Sequence, residues 1–164
     1  MIKIENLQKG HIIKDFSLNI DENKKVALIG NNGSGKSTLL YLLSGTLLAD
    51  SGLITYNKNK FKFPIKNHGY YKFIKYLRRN ILYIENSDTL YENFTIRQNF
   101  KHFISLGEYD KKQFKNLYEI FEVNEPMNKL ISQISKGTKQ KLIIILALLS
   151  KKNIILLDEP TDGL

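Results

Sequence analysis

The 164-residue sequence contains no cysteine and few of the residues that mark fibrous or unstructured chains. The absence of cysteine excludes a disulfide-stabilised fold and a thiolate zinc site, and it fits a reducing compartment. Ten glycines and three prolines are too few for a collagen-like or linker-like chain. The longest wholly apolar run, Leu142–Leu149, is far shorter than a membrane span, and the N-terminal residues carry no apolar signal-peptide segment. With 42% hydrophobic residues, the chain is expected to fold as one globular domain.

Acidic residues are absent between Asp50 and Glu85, and much of the net charge of +9 arises there. Aromatic residues interleave with basic ones in this window, a pattern that could bind nucleic acid or anionic lipid. The ordinary interpretation is favoured instead: a strand or helix with apolar side chains inward and lysines outward. The basic residues are Lys58, Lys60, Lys62, Lys66, Lys72, Lys75, Arg78 and Arg79, and the aromatic ones are Phe61, Phe63, Tyr70, Tyr71, Phe73 and Tyr76.

Apolar patterning predicts an α/β chain with strands of two kinds. Apolar segments predict strands at 24–29, 81–84 and 154–157, the last a continuous apolar run that suits a buried parallel strand, whereas alternation predicts antiparallel strands at 16–20 and 53–56. Helical patterns are expected at 37–48, 96–106, 111–121 and 138–150, with Ser135 as a possible N-cap of the last. Residues 92–134 contain no good strand and are predicted to form a helical insert between two halves of the core.

A glycine-rich segment, GNNGSGKST, fits the phosphate-loop pattern G-x-x-x-x-G-K-[ST] between a predicted strand and a predicted helix. Glycines let the backbone curl so that successive N–H groups and the helix N-terminus face phosphate oxygens. Lys36 is predicted to reach the β- and γ-phosphates of ATP, and Ser37 to give its hydroxyl to Mg²⁺. The alternative is a strand–helix turn without a ligand. The predicted nucleotide-binding residues here are Asn31, Asn32, Gly33, Ser34, Gly35, Lys36, Ser37 and Thr38.

Two acidic residues, Asp158 and Glu159, directly follow the apolar run at 154–157. Ligands of open α/β sheets bind beyond this carboxyl edge of the strands. Asp158 is therefore predicted to hold Mg²⁺, and Glu159 to orient or deprotonate the attacking water. Two solvated acids at a strand end are the alternative, which the phosphate loop makes less favourable.

Together these segments resemble the nucleotide-binding domain of ABC (ATP-binding cassette) proteins over the whole chain, with a P-loop NTPase core of mostly parallel sheet and an N-terminal antiparallel subdomain. The most specific likeness is ISKGTKQK at 134–141, which resembles the family's LSGGQ signature, followed by an apolar helix and LLDEP. In the family the signature crosses a dimer interface to the γ-phosphate, so the resemblance assigns Ser135 and Gly137 to the partner cassette's ATP. An ordinary helix cap is the alternative.

The resemblance implies an ATPase subunit that uses ATP and Mg²⁺ and closes as a dimer of two cassettes. It implies a separate transmembrane permease partner and a peripheral location on the cytoplasmic face of the plasma membrane. The KQK variant of the signature is most similar to ATPases of bacterial antibiotic-peptide and multidrug exporters. No nucleic-acid partner is expected, although the basic–aromatic window leaves a nucleic-acid-associated or regulatory ATP-binding protein as the alternative.

The sequence departs from the family pattern at three places. Asn86 stands where the family has a glutamine near the attacking water, and it is assigned the same catalytic contact. No aromatic residue for stacking on adenine is evident near residues 8–12, where His11 is the nearest flat side chain. The family's switch histidine is not present, so residues 1–164 are expected to be an ABC domain incomplete at its C-terminus, with a helical subdomain at about 92–134. A truncated cassette that binds ATP without turnover is a further alternative.

Overall fold

The computed structural model describes residues 1–85, 89–105, 109 and 111–160, and it divides into two compact units at residues 1–79 and 80–164. The architecture is mixed α/β, as predicted, with an antiparallel sheet in the first unit and a parallel pair of strands in the second. The elements in chain order are β1 (Ile2–Lys9), β2 (Ile13–Ile20), α1 (Lys36–Ser44), β3 (Ser51–Tyr56), β4 (Asn59–Phe63), α2 (His68–Asn80), β5 (Ile81–Ile84), α3 (Ile96–Ser105), α4 (Phe114–Ile120), α5 (Lys136–Leu149) and β6 (Ile154–Leu157).

The antiparallel sheet has the strand order β2-β1-β3-β4. It contains both predicted antiparallel strands, within β2 and β3, together with β1 and β4, which the patterning did not predict. β1 was missed because a register irregularity interrupts its alternation: Asn6 has a φ of 47°, and Leu7 is buried out of phase with Ile4. Gly52 of β3 lies against this irregularity, where a Cβ atom would be 2.7 Å from the Asn6 carbonyl oxygen.

The basic–aromatic window folds into β4 and α2, each with one apolar face. In β4, Phe61 and Phe63 are buried, while Lys60 and Lys62 face outward. In α2, Phe73 packs against both phenylalanines with ring centroids 5.0 and 5.5 Å apart. The ordinary interpretation of the window is therefore confirmed for these residues.

Helix α1 begins at Lys36 and ends at Ser44, before the predicted end at Leu48, with Gly45 as its C-cap. Gly45 has a φ of 77°, a left-handed conformation that commonly terminates helices. A Cβ atom at this position would lie 2.2 Å from Cδ1 of Leu77, so any larger residue at position 45 would clash with α2. Gly45 is a typical C-cap residue, but the apolar residues Leu47 and Leu48 beyond it led to a predicted helix end that is too late.

The predicted strand at 24–29 is wrong, since these residues join no ladder in the part of the chain that the structure describes. Val26 is 52% exposed and Ile29 is 94% exposed. An apolar run predicts burial, but a strand also needs a neighbouring backbone with which to pair. That requirement is not local, and no described residue satisfies it here.

In the second unit β5 and β6 pair in parallel, from Ile81 opposite Ile154 to Ile84 opposite Leu157. Both strands have the predicted bounds. The expected full burial of β6 is only partly correct, because Leu156 is buried whereas Ile155 is 37% exposed. Each face of this strand pair has at least one buried side chain, Ile81 and Leu156 on one face and Ile84 on the other, beside others that are only partly covered.

The described part of 92–134 contains helices and 3-10 turns but no strand, as predicted. Thr95 and Gln98 form a capping box at the start of α3: Gln98 N donates to Thr95 Oγ1, and Thr95 N donates to Gln98 Oε1. The expected end of this helix at Leu106 lies outside the described residues. The helix predicted at 111–121 is a 3-10 turn, Lys111–Gln113, followed by α4.

The apolar core of the second unit surrounds α5, which is buried along most of its length. Its principal contributors from other elements are Ile84, Ile96, Phe100 and Ile131. Across the described residues, no helix combines the length and the apolar character that crossing a membrane requires.

Candidate functional site

The phosphate loop curls between the segment at 24–29, which has no regular secondary structure, and the N-terminus of α1. Gly33 and Gly35 have φ values of 80° and 93°, conformations that side chains disfavour, and Ser34 N donates to Asn31 O across the turn. Gly35 is the N-cap residue of α1, so no side chain caps this helix. The backbone donors of the first helical turn therefore face the loop, which suits a phosphate group. Asn31, Asn32, Gly33 and Ser34 are exposed, whereas Ser37 and Thr38 are at least partly buried.

Lys36 lies folded over the loop that precedes it. Its Nζ donates hydrogen bonds of 2.9 Å to Gly30 O and 3.0 Å to Asn31 O. The ammonium group is thereby held at the centre of the loop, where it can neutralise oxygen charge on a bound phosphate. This placement agrees with the predicted role of Lys36 in ATP binding.

The turn between β1 and β2 supports the loop from below. A Cβ atom at Gly35 would stand 3.0 Å from Cγ2 of Ile12 and 3.1 Å from Cδ1 of Ile13, so the loop backbone approaches this turn too closely for a side chain. His11, the nearest flat side chain to the position where the family stacks adenine, lies in the same turn and is exposed, as an ordinary loop histidine is.

Asp158 and Glu159 lie at the carboxyl end of the parallel strand pair, as predicted. Asp158 N donates a 3.0 Å hydrogen bond to Ile84 O, which extends the β5–β6 pairing by one step. The side chain of Asp158 is half-buried, and that of Glu159 is exposed. Glu159 also has a φ of 46°, an uncommon left-handed conformation for this residue type. Strained backbone of this kind often accompanies functional residues.

The signature-like segment forms the exposed N-terminus of α5. Ser135 is the N-cap, and its Oγ accepts a 3.1 Å hydrogen bond from Thr138 N. Ser135 is exposed and Gly137 is half-buried, so backbone N–H groups at this helix end face outward. The predicted cap is confirmed, although the helix begins at Lys136, two residues earlier than expected.

Two contacts around α5 were not predicted from the sequence. Lys139 pairs with Glu92, which ties the first turn of α5 to the segment before α3. Gln140, buried in the same helix, donates a 2.8 Å hydrogen bond to Pro160 O, one residue after Glu159. Gln140 stands in the polar first turns of α5, between Lys139 and Lys141, and its partner is twenty residues away, so neither its burial nor its contact could be deduced.

The structure thus groups the predicted residues into two sets, each within one unit. The first unit holds the phosphate loop and the β1–β2 turn. The second holds the signature-like helix end and the acidic pair, which Gln140 connects. Asn86, predicted to contact the attacking water, lies outside the described residues.

Each set of residues, taken by itself, has groups that suit part of a Mg²⁺–nucleotide ligand. The loop of the first unit offers backbone donors, one ammonium and the Ser37 hydroxyl, and the strand end of the second unit offers the Asp158 carboxylate. No group of three or more histidine or acidic side chains that could hold a metal occurs among the described residues. A resident metal cage is therefore not built there, whereas Mg²⁺ is commonly bound by one or two protein oxygens together with substrate phosphates.

Comparison with known proteins identifies the family to which this sequence is similar. The profile of the ABC transporter family matches residues 13–162. Similar curated proteins include the ABC transporter ATP-binding protein YtrB of Bacillus subtilis, 31% identical over 100% of this chain and 54% of the relative. The thiamine import ATP-binding protein ThiQ of Aliivibrio fischeri is 30% identical over 92% of the chain and 62% of the relative. The lantibiotic transport ATP-binding protein SrtF of Streptococcus pyogenes is 29% identical over 100% and 68%.

Solved structures share the fold. An ABC transporter ATP-binding protein from Pyrococcus furiosus superposes with a TM-score of 0.79 at 24% identity, over 97% of this chain and 75% of that one. The ATP-binding cassette MJ0796, solved as a dimer with ADP and Pi, has a TM-score of 0.74 at 26% identity, over 100% and 76%. The chain spans between about half and two thirds of the length of the first two curated relatives named above.

Proposed function

The chain belongs to the ABC transporter family, and we propose that it is an ATP-binding and ATP-hydrolysing subunit that powers transport through a separate membrane-spanning chain. The phosphate loop is the observation that carries this proposal. Two left-handed glycines, an uncapped helix N-terminus and the inward-folded Lys36 lie together in one short loop, a combination that suits binding of phosphate groups.

In this proposal the backbone N–H groups of residues 31–38 bind the phosphates of ATP, and Lys36 lies beside the β- and γ-phosphates. Ser37 and Asp158 would hold Mg²⁺, which when bound neutralises charge that develops on the phosphate oxygens. These residues bind and orient the nucleotide, so their substitution should weaken ATP binding before it affects the chemical step.

Glu159 is proposed as the general base. Its carboxylate takes a proton from water as the water oxygen bonds to the γ-phosphorus, and the bond from that phosphorus to the β–γ bridging oxygen breaks. ADP and inorganic phosphate are the products. The exposed side chain at the end of β6 is free to meet water, and the proposed role of Asn86 is to orient that water.

Two copies of the cassette are proposed to close head to tail on ATP. The exposed helix end at Ser135 and Gly137 would then face the γ-phosphate held by the other copy, as a backbone anion site in its own right. Closure driven by ATP and release by hydrolysis give the mechanical cycle. The ATP-binding cassette MJ0796, solved as a dimer in a post-hydrolysis state with ADP and Pi, supports the dimeric state of this proposal by analogy.

The membrane-spanning partner and the location follow from the same proposal: the chain would act at the cytoplasmic face of the plasma membrane, on a permease subunit. The finer assignment to an exporter rests on the KQK variant of the signature. Similar proteins include both a thiamine import protein and a lantibiotic transport protein, so the direction is tested by following substrate once the permease is identified.

The decisive experiment compares Lys36→Ala with Lys25→Ala. Both substitutions remove one lysine charge in the same region, but only Lys36 donates to the loop. Mg-ATP binding, followed with a fluorescent ATP analogue, should fall at least about tenfold in Lys36→Ala and change little in Lys25→Ala. Absence of binding by the wild-type chain, or equal binding by both variants, would contradict the proposal.

A further inference from the structure

The outer face of α2 carries two parallel rows of side chains that the proposed ATPase function does not use. One row is Tyr70, Ile74 and Arg78, and the other is Tyr71, Lys75 and Arg79. Each row follows the i, i+4, i+8 spacing of an α-helix, so its members lie above one another along a line of about 12 Å. We refer to these six residues as the α2 face.

The opposite side of the helix explains why α2 folds but not why the α2 face has this composition. Phe73 and Leu77 are buried and anchor the helix to the first unit. Tyr70 and Tyr71 point away from that core and are 47% and 71% exposed. Packing against the core accounts for the buried aromatic residues of the basic–aromatic window, but it does not account for these two exposed tyrosines.

The α2 face is also strongly basic. It contributes three cations, Lys72 adds a fourth on its flank, and no acidic residue occurs anywhere between Asp50 and Glu85. The two rows border a shallow groove of about 400 Å³, with the two tyrosines at its N-terminal end and the cations Lys75, Arg78 and Arg79 farther along the helix. Such a surface is complementary to closely spaced negative charges beside apolar material.

Lys75 and Tyr71 indicate which anion this surface suits. The Lys75 ammonium lies 5.9 Å from the centroid of the Tyr71 ring, a cation–π arrangement. One face of this ring is thereby covered by a cation, which disfavours stacking of a nucleic-acid base on it. A tyrosine with a neighbouring cation instead suits the lipid–water interface, where the ring lies among headgroups and the ammonium meets phosphate.

We propose that the α2 face binds the surface of a membrane containing anionic phospholipids. The cations contact lipid phosphates and carboxylates, the tyrosines lie at headgroup level, and Ile74 contacts the adjoining acyl boundary. Binding of this kind needs neither ATP nor a permease, so it stands apart from the proposed catalytic role. It would hold the chain at a lipid surface through its own residues.

Vesicle flotation with the purified 164-residue chain tests the proposal. Vesicles of phosphatidylcholine alone are compared with vesicles in which part of this lipid is replaced by phosphatidylserine. The chain should bind the anionic vesicles, release from them as salt is raised, and bind the neutral ones poorly. Equal binding to both kinds of vesicle, or no binding to either, would overturn the proposal.

A matched pair of double variants locates the surface. Lys75→Glu with Arg79→Glu reverses two charges on the α2 face, whereas Lys60→Glu with Lys62→Glu makes the same change in net charge on exposed positions of β4. Binding to anionic vesicles should weaken at least about tenfold in the first and no more than about threefold in the second. Equal losses would show attraction by net charge alone and would overturn the assignment.

Two further measurements keep the test decisive. If the charge reversals unfold the chain, as judged by thermal melting, Lys75→Gln with Arg79→Gln and the separate variant Tyr71→Ser should each still reduce vesicle binding severalfold. A single-stranded oligonucleotide is tested in parallel. Tight oligonucleotide binding that is lost in the Lys75/Arg79 variant, without vesicle binding, would replace the membrane with nucleic acid as the partner.

Discussion

Gln140 donates a hydrogen bond of 2.8 Å from Nε2 to the carbonyl oxygen of Pro160, linking the signature-like helix to the segment that follows the acidic pair. Gln140 is 4% exposed and Pro160 is half-buried, so the bond is partly shielded from solvent. Glu159 immediately precedes the acceptor and has a left-handed φ of 46°. The buried amide therefore restrains the peptide that follows the proposed general base.

The first prediction concerns this bond. Gln140→Glu keeps the shape of the side chain but removes the N–H donor, which leaves a buried carboxyl oxygen facing the carbonyl oxygen of half-buried Pro160. We expect a loss of about 1–3 kcal/mol in the free energy of unfolding, measured by urea denaturation. Gln133→Glu, at an exposed position in the turn before α5, is the matched control and should change stability by less than about 0.5 kcal/mol. A Gln140→Glu variant as stable as the control would show that the bond contributes little.

The second prediction concerns Glu159. Glu159→Gln preserves the size of the side chain and removes the base, so ATP turnover should fall at least about 100-fold while Mg-ATP binding is retained. Glu122→Gln is a suitable control, because Glu122 is also exposed and also has a positive φ of 50°, but it lies outside the proposed site. Unchanged turnover in Glu159→Gln, measured by phosphate release, would remove Glu159 from the mechanism.

The third prediction separates two roles of Ser135, helix cap and anion site. Ser135→Ala loses the bond from Thr138 N and should destabilise the chain by about 1 kcal/mol. Ser135→Asp restores a capping oxygen and therefore the stability, but it puts a negative charge where the partner's γ-phosphate is expected. ATP-dependent dimerisation, followed by analytical ultracentrifugation in the Glu159→Gln background, should be lost in the aspartate variant alone. Normal dimerisation of that variant would contradict the anion-site role.

The fourth prediction concerns pH. A hydrogen bond from the Lys9 side chain, and then one from Gly10 N, hold the pKa of Asp50 below its ordinary value. The stabilisation is therefore complete above the unfolded-state pKa, at about pH 4, and is lost as the pH falls through the folded-state value. Asp50→Asn should reduce stability at neutral pH, and the difference from wild type should shrink in acid. Asp21→Asn is the matched control. If the stability difference between Asp50→Asn and wild type grew rather than shrank in acid, the assignment to Asp50 would be contradicted.

Short-range patterns predicted the elements that depend on local sequence. β5 and β6 have the expected bounds because each is a continuous apolar run between polar residues. The N-cap at Ser135 and the phosphate loop were predictable because capping and curling need particular residue types at fixed spacing. Local sequence is therefore sufficient to locate most of the candidate site.

Features that depend on distant partners were not predictable in the same way. The segment at 24–29 ends in four apolar residues, as many as β5 contains, yet it joins no ladder among the described residues. The irregularity at Asn6 concealed β1, since one left-handed residue shifts the phase of every side chain after it. The role of Gln140 could not be predicted either, because it depends on a hydrogen bond to Pro160, twenty residues away.

The strand order β2-β1-β3-β4 has a consequence for how the phosphate loop forms during folding. Ile2 of β1 pairs with Ile20 of β2 on one side and with Tyr56 of β3 on the other, so residues 21–50 leave the sheet and return to it beside the same strand. The β1–β2 hairpin is local and can form early, but β1–β3 pairing must close this long excursion and is correspondingly slow. The two ends of the segment 21–50, which contains the phosphate loop, become fixed in the sheet only at that late step. Nucleotide-binding competence should therefore appear with the slow phase of refolding rather than with the first collapse.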